Sequence, residues 1–570
     1  MFIESKYKQR GEAYMLIYRH WGLAEGLHVL ESFQLSGAFL ALHGVGALLL
    51  GAGVLLLGAG TGALSLSIGA LSFGIGVGAF LLGAISLDID ALSFGMGHLV
   101  SMVELAKLLI ARDDRISVTI LIMTLPSDPL GSNYTKSLSS SSSSARIRFV
   151  HLPPLLEQPS PNSIDFFIGF VEAHKPLVRD AVFQLTRSDS NPTRLAGFVV
   201  DMCCTIMIEV ASEFGVPSYV FSPSGAVCLD HFLHTQRLHY EGNVDLVELA
   251  KSGGELKQAS LLNPLPAKLW PSVVTHKVAG PRFLFNNVQR FFKAKGILIN
   301  TFEELESHAL ESFYNGAIES PPVYPVGPIL GPANNNRSSN QYGDIMSWLD
   351  DQPPSSVVFL SFGSMGSFDE DQIREIARGL ELINQRFLWS LRRPPPKDQE
   401  GIVTADYENI EEILPEGFLD RTAKIGKVIG WAPQVDVLAH KAVGGFVSHC
   451  GWNSILESIW NGVPIATWPL YAEQQMNAFE LVKELGLAVE ISLEYMSDSL
   501  FNARGKSDLV KAEEIQNAIG KLMDVNGGDG YKVRRKVKDM RDKCRKAVMD
   551  GGSSHTALSR FIENLVSHLA

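Results

Sequence analysis

Short, unbroken runs of apolar and largely β-branched residues recur along this chain, each followed by a stretch of helical spacing. ISVTILIM (116–123) shows almost no polar alternation, so a strand made from it must be buried on both faces, as in a parallel sheet. RIRFVHL (146–152), LAGFVVD (195–201) and PSYVFS (217–222) continue the series. The segment 321–341, PPVYPVGPILGPANNNRSSNQ, then interrupts it with Pro, Gly and Asn and reads as a boundary. Beyond it the alternation restarts with SSVVFLSFGS (355–364), RFLWSLR (386–392), KVIGWAP (427–433), GGFVSHC (444–450) and VPIATWPL (463–470). Strands that alternate with helices are joined most simply by right-handed crossovers, which predicts an α/β fold of two successive doubly wound domains. The length of 570 residues also exceeds what one core serves. Ligands of such sheets sit beyond the carboxyl ends of the strands, so the cleft between the two domains is the expected site.

The N-terminus breaks the pattern. From Ser32 to Leu87 there is no Asp, Glu, Lys or Arg. That length suffices for one or two membrane-spanning helices of about 20 apolar residues each. It is too long and starts too late for a secretory signal, whose apolar region runs roughly 7–15 residues. The segment is repetitive: GALSLSIGALSFGIG (62–76) recurs as GAISLDIDALSFGMG (83–97), with 11 of 15 positions identical. Glycine at this density weakens an isolated helix by about 1 kcal/mol per residue relative to alanine. A membrane hairpin, a low-complexity insertion and a soluble packing role all fit this composition.

Bulk charge narrows the partners. A net charge of −12 argues against nucleic acid, because phosphate backbones require clustered cations. The cationic stretch 532–546 carries apolar residues at helical spacing and reads as a solvated helix face. Five cysteines without CxxC spacing fit a reducing compartment and no structural zinc. Gly95-Met96-Gly97 imitates the start of a dinucleotide fingerprint, but Val100 stands where its third glycine belongs.

The most specific chemistry lies after the strand GGFVSHC. Gly451-Trp452-Asn453-Ser454 opens a helix, ILESIWNG, that Gly462 is placed to end. Free backbone N–H groups and the positive end of the helix dipole make such a turn a seat for pyrophosphate. His449 and Ser454 can add side-chain hydrogen bonds. An Asn-Ser pair also simply caps a helix, so the turn by itself does not decide between the two roles.

The 44 residues from Trp431 to Gln474 closely resemble the signature box of plant family 1 UDP-glycosyltransferases. The resemblance implies two facing Rossmann-like domains in the GT-B arrangement. By position in the box it implies that Trp431 stacks on uracil while the backbone of Ala432 meets the base edge. Gln434 and Glu457 would hold the ribose hydroxyls, and His449, Gly451, Asn453 and Ser454 would form the phosphate turn. Trp452, Glu473 and Gln474 would address the sugar, the terminal Gln pointing to glucose. Ser364, in SFGSMGS, matches a second donor-contacting loop. His98, in GMGHLVSMVELAKLL, matches the general base, and Asp201 its partner.

On that basis the chain divides into an atypical extension (1–83), an acceptor-binding domain (84–325), a linker (326–341), a UDP-sugar-binding domain (342–550) and a C-terminal helix (551–570) that packs back on the first domain. The implied activity is inverting transfer of glucose from UDP-glucose to a hydroxyl of a small hydrophobic or phenolic acceptor such as a flavonoid. SIDFFIGFVEAHKPLV (163–178) and SPSGAVCLDHFLHTQRL (222–238) supply candidate acceptor walls. No cofactor or metal is implied, since UDP-sugar is a co-substrate. A cytoplasmic monomer is expected, with residues 32–87 as the route to any membrane association. The chain departs from the family just before His98, where Phe94 stands near an expected proline and ISLDIDAL (85–92) alternates apolar with polar. Burying Asp88 and Asp90 unpaired in a central strand would cost several kcal/mol. A UDP-sugar-binding protein with an impaired catalytic loop, or one attached to a membrane, is the alternative expectation.

Overall fold

A computed structural model describes residues 78–83, 89–90, 95–123, 145–155, 164–187, 194–277, 279–332, 340–394, 404–497 and 507–568. Most of the charge-free run and the serine tract at 137–144 lie outside these residues. The described elements belong to one compact unit, Ala70–Ala570.

Two sheets organise it. The first contains β1 (Gly78–Gly83), β2 (Ile89–Asp90), β3 (Val118–Met123), β4 (Ile147–His151), β5 (Gly197–Asp201), β6 (Ser218–Ser222), β7 (Ile297–Ile299) and β8 (Val323–Pro325), in spatial order 8-7-6-5-2-1-3-4. The second contains β9 (Val357–Ser361), β10 (Arg386–Ser390), β11 (Gly426–Ile429), β12 (Val443–Ser448), β13 (Ile465–Thr467) and β14 (Ala488–Glu490). Every pair in it is parallel, in spatial order 11-10-9-12-13-14. The order reverses beside β9, so the crevice past the carboxyl ends of β9 and β12 is the switch point where ligands bind. VTILIM of β3 and VVFLS of β9 are buried at every position, as their unbroken apolar sequences require. The Pro-rich boundary contributes β8, which pairs in parallel with β7 at the sheet edge, where proline is tolerated.

The first sheet has an unusual centre. β1 lies between β3 and β5 but runs antiparallel to both, with Gly78 opposite Met123 and Leu81 opposite Val199. The two residues of β2 pair in parallel with β5. Thus GAFLLG takes the central slot. The polar-alternating segment contributes Ile89 and Asp90 alone, and Asp88 lies outside the described residues.

Helix α1 (Gly95–Arg112) follows β2 and buries Leu99, Met102, Val103, Leu105, Ala106 and Leu109 completely. Further along come α2 (Ile164–Thr186), α3 (Ala226–Tyr240), α4 (Trp452–Asn461), α5 (Gln474–Phe479), α6 (Asp529–Ala547) and α7 (Ser553–Ser567). The expected C-terminal helix is α7. Its Leu558, Phe561, Ile562 and Leu565 share a core with α1 and the first sheet, and Arg112 of α1 donates to Ser559 Oγ. Among the described residues no helix is long and apolar enough to cross a membrane.

Candidate active site

Gly451 caps α4 in an extended conformation, and Gly462 ends the helix at φ 70° with the left-handed geometry that favours glycine. Just before the cap, Cys450 is buried at φ 62°. Its N–H donates to Ser448 Oγ and its carbonyl accepts from Asn477 Nδ2. Those bonds hold the turn from which α4 starts.

His449 lies at the end of β12, 6% exposed, and burial pulls its pKa down to about 4, so the ring is neutral. Its Nδ1 is buried without a protein hydrogen-bond partner. A buried polar atom left that way calls for a ligand. The backbone closes tightly around the ring. A Cβ on Gly363 (φ 76°) or on Gly451 would stand 2.6 Å from His449 Nε2. Both positions therefore require glycine. Ser364 follows Gly363 in the same turn, and its carbonyl accepts from Thr404 Oγ1.

Gln434 links several of the residues expected at the donor site. Its Nε2 donates to Ser454 Oγ and to Glu457 Oε2, each at 2.8 Å, while its Oε1 accepts from Ser361 Oγ at the end of β9. Burial pushes the Glu457 carboxyl up to about 7, against the lowering effect of the Gln434 hydrogen bond. Trp431 is 43% exposed, a high value for an indole, with the Arg392 guanidinium 5.4 Å from its ring centre. Ala432 beside it is buried. Gln474 is buried, and its Oε1 accepts from the N–H groups of Leu470 and Tyr471.

Trp452 and Asn453 have a further structural task. Trp452 Nε1 donates to the carbonyl of Asn300, 2.7 Å away, just past the end of β7. Asn453 Oδ1 accepts from Asn300 Nδ2 and from Ser101 Oγ of α1. The first turn of α4 is thus tied directly to the carboxyl ends of the first sheet. Asn300 and Ser101 were not among the residues singled out from sequence. Asn300 closes the apolar strand GILIN as Asp201 closes GFVVD, and that shared pattern could have found it.

On the first sheet, His98 in the opening turn of α1 and Asp201 at the end of β5 meet although 103 positions separate them. His98 Nδ1 lies 2.8 Å from Asp201 Oδ2, with Asp201 fully buried and the imidazole 30% exposed. Burial alone would lower the His98 pKa, but the Asp201 charge, its hydrogen bond and the Glu473 charge outweigh it and raise the pKa above the ordinary histidine value. A cavity of about 200 Å³ adjoins the pair. Ile168, Val171, Met202, Phe232 and Phe283 give it apolar walls, and Asn287, Cys203 and Glu473 polar ones. Burial raises the Glu473 carboxyl. The predicted wall segments do supply Ile168, Val171, Ser224, Cys228 and Phe232. Met202 and Cys203 come from a loop, Phe283 from the end of a short helix (Ala279–Phe283) and Asn287 from the π-helical turn that follows it, none of which periodicity announces.

A glycine-capped helix turn at the switch point of one doubly wound sheet and a His–Asp pair beside an apolar cavity on the other suit a group transferase. A family model described as "UDP-glucoronosyl and UDP-glucosyl transferase" matches residues 336–518. The chain is 52% identical over 478 residues to UDP-glucose flavonoid 3-O-glucosyltransferase 6 of Fragaria ananassa, covering 82% of this chain and 96% of that one. The fold is similar to a crystal structure of a UGT transferase from Siraitia grosvenorii in complex with UDP, at 47% identity and TM-score 0.74, covering 84% and 98% of the two chains. It is also similar to UGT71G1 of Medicago truncatula complexed with UDP-glucose, at 37% identity and TM-score 0.71, covering 83% and 97%. The chain belongs to the UDP-glycosyltransferase family, and its fold is the GT-B arrangement expected from the signature box.

Proposed function

We propose that this protein transfers glucose from UDP-glucose to a hydroxyl of a phenolic acceptor of the flavonoid class, with inversion at the anomeric carbon. The observation that carries the mechanism is the 2.8 Å contact of His98 Nδ1 with Asp201, beside an apolar cavity. Asp201 fixes the ring so that Nε2 is the basic nitrogen and stabilises the imidazolium formed. Nε2 takes the acceptor proton as the oxygen attacks the anomeric carbon, the bond from that carbon to the UDP oxygen breaks, and UDP leaves as an anion. General-base assistance of this kind contributes typically about 10²–10⁴-fold. One displacement without a covalent intermediate converts the α-linked donor to a β-glucoside.

In the donor half, Trp431 and Ala432 meet the uracil, Gln434 and Glu457 the ribose, and His449, Gly451, Asn453, Ser454 and Ser364 the diphosphate. Trp452, Glu473 and Gln474 face the glucose in this reading. Its supports are the exposed indole, the unpartnered Nδ1 of His449 and the glycine-lined approach to that ring. The mechanism needs no metal. The expected extension 1–83 is too long, because β1 (Gly78–Gly83) pairs inside the first sheet. In this reading the acceptor domain therefore begins before residue 84, and the donor domain keeps 342–550. The five free cysteines suit a cytoplasmic enzyme. One observation favours a second reading, UDP-glucose binding without turnover: β1 runs antiparallel in the slot that leads toward the His98 loop.

Incubation with UDP-glucose and a flavonoid, followed by mass spectrometry and the proton coupling of the anomeric centre, separates the two. A β-glucoside is expected. Retained UDP-glucose binding with no product from any phenolic would establish the second reading.

A further inference from the structure

Cys203 has no part in the transfer chemistry, yet it sits against the reacting pair. Asp201 Oδ1 accepts from the Cys203 backbone N–H at 2.9 Å, and the thiol side chain lines the same cavity as His98. One ring nitrogen of His98, a carboxylate oxygen of Asp201 and Sγ of Cys203 all lie within 4.8 Å of one another. Among the described residues this is the one grouping of three such ligands.

Zinc binds nitrogen, oxygen and sulfur at about 2.0–2.3 Å, so donors around a tetrahedral ion stand roughly 3.5 Å apart. The three groups need to move by only about 1 Å to reach that spacing. Magnesium and calcium prefer oxygen-only shells, whereas imidazole with thiolate selects zinc and softer ions. The cavity beside the three ligands leaves a fourth, exchangeable position.

We propose that His98, Asp201 and Cys203 form an inhibitory site for a thiophilic divalent cation of the zinc class. The inhibition rests on the transfer reading above; the metal site itself rests on the geometry. On binding, the Cys203 S–H bond breaks, a sulfur–metal bond forms and the proton leaves to solvent, with no change of oxidation state. The ion also takes a His98 lone pair or the Asp201 oxygen that orients it, so the acceptor hydroxyl loses its base. The ion takes the place of the acceptor hydroxyl beside His98, so it competes with the acceptor, while the uracil, ribose and diphosphate residues lie outside this cavity.

The test is a cadmium titration of the full chain without substrates, following the thiolate-to-cadmium charge-transfer absorbance, together with zinc inhibition of turnover. UDP-glucose affinity reports that each variant is folded. The band is expected in the wild type and absent from Cys203→Ala. Half-inhibition of that variant, relative to its own zinc-free rate, shifts to at least about tenfold more zinc, because even outer-shell partners of metal sites contribute 10–100-fold. His98→Gln, which keeps the thiol, should bind cadmium at least about tenfold more weakly. Excess acceptor displaces the ion, and UDP, which lacks the sugar, does not. A wild-type band and unchanged zinc sensitivity in Cys203→Ala would overturn the site. An inactive wild type that still shows the band would refute the transfer reading and leave the site standing.

Discussion

Donor binding should be coupled to the proton on Glu457. The carboxyl is buried, lies 2.8 Å from Gln434 Nε2 and titrates at about 7 in the ligand-free protein. A ribose diol donates two hydrogen bonds, which the ionised carboxylate accepts and the protonated acid accepts only in part. Binding therefore favours the ionised form and lowers the bound-state pKa, so affinity rises with pH through about 7 and levels off above it. If only the ionised form binds, the apparent dissociation constant is about twofold higher at pH 7, and about tenfold higher at pH 6, than at pH 8; the slope approaches ~1.4 kcal/mol per pH unit. Calorimetric titration with UDP-glucose suits the measurement, because its diphosphate diester keeps its charge over this range. Glu457→Gln should bind more weakly at pH 8 by about 1.5–3 kcal/mol, the worth of a hydrogen bond to a charged group, and show no midpoint near neutrality. A flat wild-type profile, or the same slope in Glu457→Gln, would refute the linkage.

Three further outcomes follow from packing. Gly363→Ala places a Cβ 2.6 Å from His449 Nε2 at φ 76°, so it should lose roughly 1–2 kcal/mol of stability from backbone strain and weaken UDP-glucose binding as His449 shifts. Denaturant midpoints and calorimetry check both effects. Trp452→Phe removes the Nε1 bond to Asn300 and strands a buried carbonyl, which should cost about 1–3 kcal/mol in a urea titration with unchanged slope. Glu480→Gln tests the buried Glu306–Glu480 pair, in which burial raises both carboxyls and Glu306, by its charge and hydrogen bond, raises Glu480 further. A carboxyl with a raised folded pKa adds stability below its unfolded value of about 4.3 and loses it as pH rises through the folded value. The variant should therefore gain more in Tm at pH 8 than at pH 5.

The site residues were named through the resemblance carried by the 431–474 box, while local rules gave less. Asp201 closes an apolar strand as many turn formers do, and the Gly451 cap with Gly462 eleven residues on marks a helix and not by itself a ligand. The central strand was not legible. GAFLLG is apolar and short, and nothing in such a run encodes its direction, which is set by pairing with β3 and β5 far along the chain. The Trp452–Asn300 contact escaped for the same reason, since it joins residues 152 positions apart. The cavity walls from Met202 and Asn287 lie in a loop and a π-helical turn, and Phe283 ends a five-residue helix too short to show a period.

The central claim is that His98, held by Asp201, removes the acceptor proton while the other sheet holds the donor. Turnover and UDP-glucose affinity measured side by side in His98→Ala test it most directly. The account predicts that kcat/KM for the acceptor falls by about 10²–10⁴-fold, with the UDP-glucose dissociation constant within about twofold of wild type, since removing a group that acts only on the transition state leaves ground-state binding intact. Near-wild-type turnover, or a parallel collapse of donor affinity, would contradict it.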